Sequence, residues 1–246
     1  PDAIAAAAVR LGCASVAFTY NDPVIFAEYA IDIAAACRDR GVRTVAVTAG
    51  YIHAAPRREF FAAMDAANVD LKGFTEDFYQ RLTGARLSTV LETLSYLVHE
   101  TSVWVEITTL VIPRHNDDPA QLRALSRWVA TELGPDVPLH FSAFHPDHRM
   151  REVRRTPLET LVAARDIARA EGVRFVYTGN VHHRDGDTTC CPACGTDLIV
   201  RDWYEIRSYR LTATGRCPRC DAQLPGRYDA AAGSFGARRI PLRWPG

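Results

Sequence analysis

The sequence predicts an α/β fold, a partial barrel of six β/α units, (β/α)6, followed by a small cysteine-rich module. Two observations predict the barrel: strand-like and helix-like segments alternate, and successive strands start about 25 to 35 residues apart, as in βαβ units with a parallel sheet. A third observation predicts the module, because five of the seven cysteines fall between residues 190 and 220. With 246 residues, 48% of them hydrophobic, the chain is long enough for one large core and an appendage.

Six segments have the β-branched or alternating apolar character of strands. Gly41 ends the helical segment before the second of them, Gly50 opens the loop after it, and Pro113 stops the fourth. The strand segments are residues 14–19, 43–48, 67–71, 103–112, 138–144 and 174–178.

The segments between the strands show helical periodicity. One start is well marked: in Thr156-Pro157-Leu158-Glu159 we expect Thr156 to be a hydroxyl N-cap, with Glu159 at N3. The helical segments are residues 3–11, 24–40, 56–64, 75–82, 87–100, 118–132 and 156–172.

Charge and hydropathy exclude two classes of partner. The formal net charge is zero, which argues against binding to nucleic acid or to anionic membranes. No apolar run approaches the ~20 residues that a membrane span requires. Because C-x-x-C pairs are typical of metal sites in a reducing compartment, we expect a cytoplasmic protein.

The character of the sequence changes towards the C-terminus, where cysteines, arginines, aromatics and turn residues dominate. We therefore predict two domains, a partial barrel over residues 1–183 and a small module over residues 184–246. At the other end, the chain begins at Pro1, without Met and already in a helical segment, so we expect that its true N-terminus is missing.

Polar side chains follow five successive strands at the points where those strands end. In a parallel β/α barrel the chemistry takes place at these ends, so we expect a shared cavity there. Alternation places Glu106 and Thr108 on one face of their strand, whereas His145 falls beyond its strand, in a loop. For any one of these residues taken singly, a satisfied strand-end polar group is the favoured explanation, and for His140 the simpler alternative is a buried core histidine. The candidates are Thr19, Tyr20, Asn21, Asp22, Thr48, Asp70, Lys72, Glu106, Thr108, His140, Ser142 and His145.

Lys72 is the only lysine in the sequence. Because lysines and arginines together number 29, the other 28 are arginines. Where any positive charge would serve, this sequence uses arginine. A position that keeps lysine therefore indicates a need for a compact ammonium, which the planar guanidinium does not imitate. Retention on a solvated face is the simpler alternative.

Several segments occur together in one order: VAFTYNDPVIF at 16–26, VDLKGF at 69–74, VWVEITTLVIPRHNDD at 103–118, PLHFSAFHPDH at 138–148, VYTGNV at 176–181, and the final CPAC and CPRC pairs. In these segments the chain resembles the radical S-adenosylmethionine (SAM) enzyme of the AmmeMemoRadiSam system, within the activating-enzyme-like radical SAM family. The resemblance extends to about residue 226.

The resemblance implies roles for the strand-end residues. The turn from Thr19 to Pro23 matches the position that grips the amino group of the methionine moiety; family members usually have Glu-Pro there, whereas Asp22 reaches one methylene less. Asp70 and Lys72 match a D-x-K strand end and are the implied catalytic residues. The remaining candidates match positions that line the cofactor cavity: Thr48, Glu106, Thr108, His140, Ser142 and His145.

The family also implies a 4Fe-4S cluster held by C-x-x-x-C-x-x-C after the first barrel strand, and the sequence has no such spacing. We therefore expect that the first βα unit is missing, and that this chain alone neither assembles the cluster nor cleaves SAM. In the complete enzyme, the resemblance implies reductive cleavage of SAM to a 5′-deoxyadenosyl radical, which abstracts hydrogen from a substrate that the sequence does not identify. The implied partners are proteins of the same gene system.

Two C-x-x-C pairs near the C-terminus predict a zinc ribbon. Each pair places two thiolates on one tight turn, and two turns complete a tetrahedron around a structural zinc ion. The predicted ligands are Cys191, Cys194, Cys217 and Cys220, with Cys190 left over.

Two other interpretations stay open. Lys72 at a strand end, with Glu106 as proton partner, is also typical of a class I aldolase-like lyase that forms a Schiff base. Alternatively, the ribbon is a binding module attached to an inert barrel. The first explains the single lysine and needs no missing segment, but it explains neither the turn at Asn21-Asp22-Pro23 nor the ribbon.

Overall fold

The protein is described by a computed structural model that covers residues 1–228 and Pro241. Its main sheet has six strands in sequential order, and every neighbouring pair is parallel. This confirms the predicted parallel sheet and all six strands. The strands are β1 (Ser15–Phe18), β2 (Arg43–Thr48), β3 (Ala66–Asp70), β4 (Trp104–Val111), β5 (Leu139–Ala143) and β6 (Val176–Gly179).

Helices connect the strands and pack on one face of the sheet. Two helical segments depart from the predicted form, because the helices Glu76–Phe78 and Pro119–Trp128 run on into π-helical turns over Tyr79–Thr83 and Val129–Leu133. The segment predicted as a helix from residue 24 begins as a 3₁₀ turn, Pro23–Phe26. The α-helices are α1 (Asp2–Arg10), α2 (Ala27–Arg38), α3 (Ala54–Ala62), α4 (Glu76–Phe78), α5 (Leu87–Glu100), α6 (Pro119–Trp128), α7 (Leu158–Ala170) and α8 (Arg184–Asp187).

The start of α7 corrects one prediction. Pro157, not Thr156, is the N-cap, and no side chain caps this helix. The hydroxyl of Thr156 is used elsewhere: it donates to the carbonyl of Val111 at 2.6 Å and accepts from the N–H of Phe144 at 2.9 Å. The buried hydroxyl thus joins the ends of β4 and β5, whose free backbone groups would otherwise be unsatisfied.

The sheet has one apolar and one polar face. Residues that face the helices are buried, such as Ile107 and Phe141, whereas the residues between them are half-buried. We call this second surface the polar face. It is formed by Asp70, Lys72, Glu106, Thr108, His140, Ser142 and Tyr177.

A second, antiparallel sheet follows α8, in the order β7-β8-β9. Its own small core contains Leu198, Ile199, Leu211 and Leu224, separate from the core of the main sheet. The strands are β7 (Thr188–Cys190), β8 (Asp197–Asp202) and β9 (Glu205–Tyr209). We call residues 188–228 the ribbon. The predicted division at residue 183 lies at the start of α8, and the two-domain division stays a prediction.

In the part of the chain that the structure covers, no helix combines the length and apolar character needed to cross a membrane.

Candidate functional site

A row of polar residues crosses four neighbouring strands. Asp70 of β3 pairs in register with Thr108 of β4, Thr108 with His140 of β5, and His140 with Tyr177 of β6. All four belong to the polar face, so their side chains lie on the same side of the sheet. The predicted sharing of one face by Glu106 and Thr108 therefore holds in the structure.

Lys72 and Asp70 form an ion pair, with Nζ and Oδ2 separated by 2.8 Å. Lys72 is held through its backbone: its N–H donates to the hydroxyl of Tyr79 at 3.0 Å, and its carbonyl accepts from Asn116 Nδ2 at 2.7 Å. Burial raises the pKa of Tyr79 to about 12, so its hydroxyl stays neutral. These contacts fix where the single ammonium lies.

The partner of Lys72 bears on the aldolase interpretation. Lys72 is bonded to Asp70, whereas the carboxylate of Glu106 is bonded to other groups. A Schiff-base lyase would need the lysine amine within reach of its proton partner. The geometry that a Schiff-base lyase requires between Lys72 and Glu106 is therefore not present.

Glu106 lies at the centre of a hydrogen-bonded group. Its Oε2 is 2.8 Å from His140 Nε2, and its Oε1 accepts from the indole N–H of Trp104 at 3.1 Å. Burial alone would raise the pKa of Glu106, but the hydrogen bond and charge of His140, the bond from Trp104 and the charge of Arg201 together lower it below its ordinary value. The carboxylate is thus held in its charged form.

Sequence reasoning missed Tyr177 and Trp104. The Tyr177 ring stacks on the His140 ring, with centroids 5.0 Å apart, and burial raises the pKa of its hydroxyl. That hydroxyl is 2.8 Å from Oγ1 of Thr189 in the ribbon. Trp104 alternates in phase with the predicted Glu106 and Thr108, so extending the two-residue period along β4 would have found it. No residue of β6 was predicted, so no such pattern marked Tyr177.

Asp22 and Thr48 meet each other away from the polar face. The hydroxyl of Thr48 donates to Asp22 Oδ1 at 2.8 Å, and the N–H of Ala49 donates to Oδ2 at 2.8 Å. Oδ1 also caps the 3₁₀ turn by accepting from Val24 N–H at 3.1 Å. Both carboxylate oxygens are therefore engaged in tying the turn after β1 to the end of β2.

The other predicted residues are dispersed. Thr19, Tyr20 and Asn21 are exposed in the turn after β1, and Tyr20 adopts a left-handed backbone with φ of 72°. His145 is exposed in the loop after β5, as its spacing predicted. Ser142 lies on the polar face against Gly179, where an added Cβ would meet its Oγ at 2.6 Å.

The four predicted ribbon cysteines converge, with their sulfur atoms all within 4.8 Å of one another. The Sγ atoms of Cys191 and Cys220 are 3.5 Å apart, and those of Cys194 and Cys217 are 3.7 Å apart. A tetrahedron with metal–sulfur bonds of ~2.3 Å has its sulfurs about 3.8 Å apart. The donor set therefore fits a single tetrahedral cation.

The surroundings support thiolate ligands. Hydrogen bonds from the side chain and backbone of Thr196 lower the pKa of Cys194 to about 6. Cys190 is not part of the group; its S–H donates to Asp197 Oδ1 at 3.5 Å, and burial raises its pKa. Cys13 and Cys37 lie apart from the ribbon and pack in the core of the main sheet.

Comparison with known sequences gives two matches. A sequence profile of the Radical SAM superfamily matches residues 1–125. An uncharacterized protein of Methanocaldococcus jannaschii is 38% identical over 225 residues, which are 91% of this chain and 66% of the relative. The chain thus spans 66% of the length of that relative.

Comparison with solved structures finds similar folds at low identity. A domain of a pyruvate-formate lyase-activating enzyme from Bacteroides vulgatus has a TM-score of 0.59 and 16% identity, covering 68% of this chain and 99% of that one. A radical SAM methyltransferase from Sphaerobacter thermophilus has a TM-score of 0.52 and 17% identity, covering 72% of this chain and 54% of that one. At these identities the likeness shows the fold alone.

Proposed function

This chain belongs to the radical SAM superfamily, and from that premise we propose that it is the major part of an enzyme that cleaves SAM reductively and abstracts hydrogen from a substrate. One observation carries the proposal: ionisable side chains of β3, β4 and β5 lie on one face of a sequentially ordered parallel sheet. Parallel β/α folds carry their chemistry on such side chains.

The residues of the chain suit the polar groups of SAM. Its methionine moiety carries an amino group and a carboxylate, and the ion pair of Asp70 and Lys72 offers one group of each opposite charge. Asp22 has a different part in this proposal, because its carboxylate already holds the turn. It shapes the exposed Thr19–Asn21 segment.

The iron–sulfur cluster needs ligands other than those of the ribbon. The four ribbon sulfurs lie within 4.8 Å of one another, close enough for one ion, whereas a cubane of four irons holds its ligands farther apart. Cys13 and Cys37 form no C-x-x-x-C-x-x-C spacing. We therefore propose that the cluster ligands are not among the cysteines of this chain.

When SAM and the cluster are bound, together they supply a radical that removes hydrogen from the substrate. The protein's own part is to orient the reacting carbon and to exclude water. His140 and Glu106 provide a proton donor and acceptor on the same face, at 2.8 Å from each other.

The finer assignment to the AmmeMemoRadiSam system rests on the co-occurrence of VDLKGF, PLHFSAFHPDH and the terminal C-x-x-C pairs in one chain. The proposed partners are proteins of that gene system.

Formation of 5′-deoxyadenosine tests the function. The complete gene product, loaded with iron and sulfide without oxygen and then reduced, is expected to convert SAM to 5′-deoxyadenosine and methionine. The Asp70→Asn variant should be slower by about tenfold or more, because Lys72 loses its partner. Asp77→Asn, which affects an exposed ion pair with Arg81, is the matched control and should keep its rate. A cluster-loaded parent protein that forms no 5′-deoxyadenosine would refute the proposal.

A second experiment compares the chain of residues 1–246 with the complete gene product. We expect this chain to assemble no 4Fe-4S cluster and to form no 5′-deoxyadenosine. Cluster assembly on the isolated chain would show that the ligands lie within it.

We infer that the ribbon cation is zinc, because four thiolates in a tetrahedral group are typical of structural zinc sites. Metal analysis of the purified chain should find one zinc per molecule. Cys217→Ser is expected to abolish stoichiometric zinc, since it removes one of four ligands, and Cys190→Ser should retain it. Equal zinc contents in the two variants would disprove the ligand assignment.

A further inference from the structure

A cavity of about 250 Å³ lies between the main sheet and the ribbon. On the side of the sheet it is lined by Trp104, the first residue of β4, and by Pro138 and Phe175, which immediately precede β5 and β6. It is thus at the N-terminal ends of these strands, whereas the chemistry of β/α folds takes place at the C-terminal ends. The cavity therefore lies at the ends of these strands opposite to Asp70 and Lys72, and it shares Glu106 and His140 with the polar face.

The ribbon contributes two arginines to this cavity. Arg227 donates from Nη2 to the carbonyl of Ser102 at 2.6 Å, and the second arginine is Arg201 of β8. Only one of its terminal nitrogens is engaged: Nη1 donates to Thr189 Oγ1 at 2.9 Å and to the carbonyl of Asp187 at 3.4 Å. Within residues 1–228, Nε and Nη2 make no hydrogen bond, and no carboxylate forms an ion pair with Arg201. The half-buried guanidinium thus keeps one complete edge of its planar fork for a ligand.

The edge formed by Nε and Nη2 selects the ligand's charged group. Two parallel N–H donors match the two oxygens of a carboxylate, and such bidentate bonds are among the strongest polar contacts in proteins. The Tyr177 ring lies below the guanidinium, with its centroid 5.8 Å from Cζ, and keeps the fork in one orientation.

The other residues that line the cavity determine which uncharged parts of a ligand can bind. Aromatic rings of Trp104, Phe175, Tyr177 and Tyr228 line the cavity, which favours a flat apolar body. Glu106 and His140 provide a hydrogen-bonding pair on the wall that belongs to the sheet. Glu106 and Arg201 both line the cavity.

The geometry points to a binding site for a small aromatic carboxylate, held by Arg201 of the ribbon and by the Glu106–His140 pair of the sheet. The volume of about 250 Å³ is slightly below that of drug-sized sites, which restricts the ligand to roughly ten non-hydrogen atoms. Neither the sheet nor the ribbon forms this site alone, because the cation and the hydrogen-bonding pair come from different sheets.

The first test needs no variant. Binding of 4-hydroxybenzoate to the zinc-loaded chain is measured by titration calorimetry, together with 4-hydroxybenzamide, which has the same shape but no charge. We expect saturable binding of 4-hydroxybenzoate and binding of the amide that is weaker by about tenfold or more, because the charge-assisted bonds are lost. Equal affinities, or no binding of 4-hydroxybenzoate, would overturn the inference.

The second test localises the site. Arg201→Gln should weaken the binding of 4-hydroxybenzoate by about tenfold or more, and Arg201→Lys should restore part of the loss. Arg207→Gln is the matched control, since Arg207 lies in the same hairpin but pairs with Asp202 and Glu205 at the surface. Zinc content verifies that each variant retains its ribbon. Unchanged affinity in zinc-loaded Arg201→Gln would place the ligand elsewhere and reject the site.

Neither SAM nor a cluster takes part in these titrations. If 4-hydroxybenzoate does not bind, the test of the radical SAM activity by 5′-deoxyadenosine formation is not affected. If no 5′-deoxyadenosine forms, the titrations still test the binding site.

Discussion

Hydrogen-bond partners decide what the ionisable residues of the polar face are able to do. Lys72 is bonded to Asp70, and Glu106 is bonded to His140 and Trp104, so each charge has its counterpart on a nearby strand position. A half-buried charge without such a partner would be costly. The sequence identified four of these five residues, but not which of them form pairs, because pairing depends on strand register.

Glu106 should make the free energy of unfolding decrease at acidic pH. Its pKa is lowered from an ordinary value of 4.5 in the folded state, so the stabilisation is present above that value and is lost as the pH falls through the folded pKa. Urea unfolding from about pH 7 to about pH 3 should therefore show a steeper loss for the parent chain than for Glu106→Gln.

The control for this prediction is Glu92→Gln, which changes an exposed carboxylate of α5. Its acid dependence should follow that of the parent. If Glu106→Gln lost stability in parallel with the parent below pH 4.5, the described interaction with His140 would contribute nothing.

Some residue roles were beyond the reach of a single sequence. The hydroxyl of Thr156 was predicted to cap α7, yet it bridges Val111 and Phe144, which are 45 and 12 residues away. Asp22 was assigned to a ligand, yet it holds Thr48 and Ala49. Local propensity describes what neighbouring residues favour, and in both cases contacts distant in sequence used the side chain instead.

At the scale of elements, the strands were predictable because burial enforces their pattern. β2 spans Arg43–Thr48 as expected, and β4 lies one residue inside the predicted range at each end. The π-helical ends of two helices were not foreseen. They insert an extra residue per turn, which the periodicity of a short segment does not reveal.

The loop after β2 offers a test at this scale. Gly50 has a φ of +67°, and a Cβ there would lie 2.8 Å from Cγ1 of Val69, a residue that is fully buried in β3. Gly50→Ala should lower the free energy of unfolding by about 3 kcal/mol, the sum of a left-handed alanine and a clash in the core.

Gly84 is the matched position, because its φ of +70° is nearly the same and no atom lies within 4 Å of its added Cβ. Gly84→Ala should cost only about 1 kcal/mol. Urea unfolding of the two variants measures the difference, and equal losses would contradict the close approach of Gly50 to Val69.

Among the described residues, polar contacts join the core of the main sheet to the core of the ribbon. Tyr177 bonds to Thr189 at 2.8 Å, and Arg227 donates to the carbonyl of Ser102 at 2.6 Å. The core of the ribbon is small, and a core of that size seldom folds without a metal or another crosslink. The composition of the chain indicated two parts, but only the coordinates revealed the cavity between them.

Removal of the ribbon cation should therefore act locally. After treatment with a chelator, backbone amides of β8 and β9 are expected to exchange hydrogen much faster, because the four cysteines no longer hold the turns together. Amides of β3 and β4 should keep their protection, since their core is independent of the metal. Exchange that rises equally in both sheets would show that the molecule unfolds as one unit.

The presence of a single lysine, just after the end of β3, has a practical consequence. Lys72 is the only lysine, its side chain is 40% accessible, and its backbone is anchored to Tyr79 and Asn116. Apart from the N-terminal amine, an amine-selective dye would therefore label one position, the side chain of Lys72. A ligand that binds beside Lys72 would slow this labelling, so the labelling rate would report ligand binding even when the substrate is unknown.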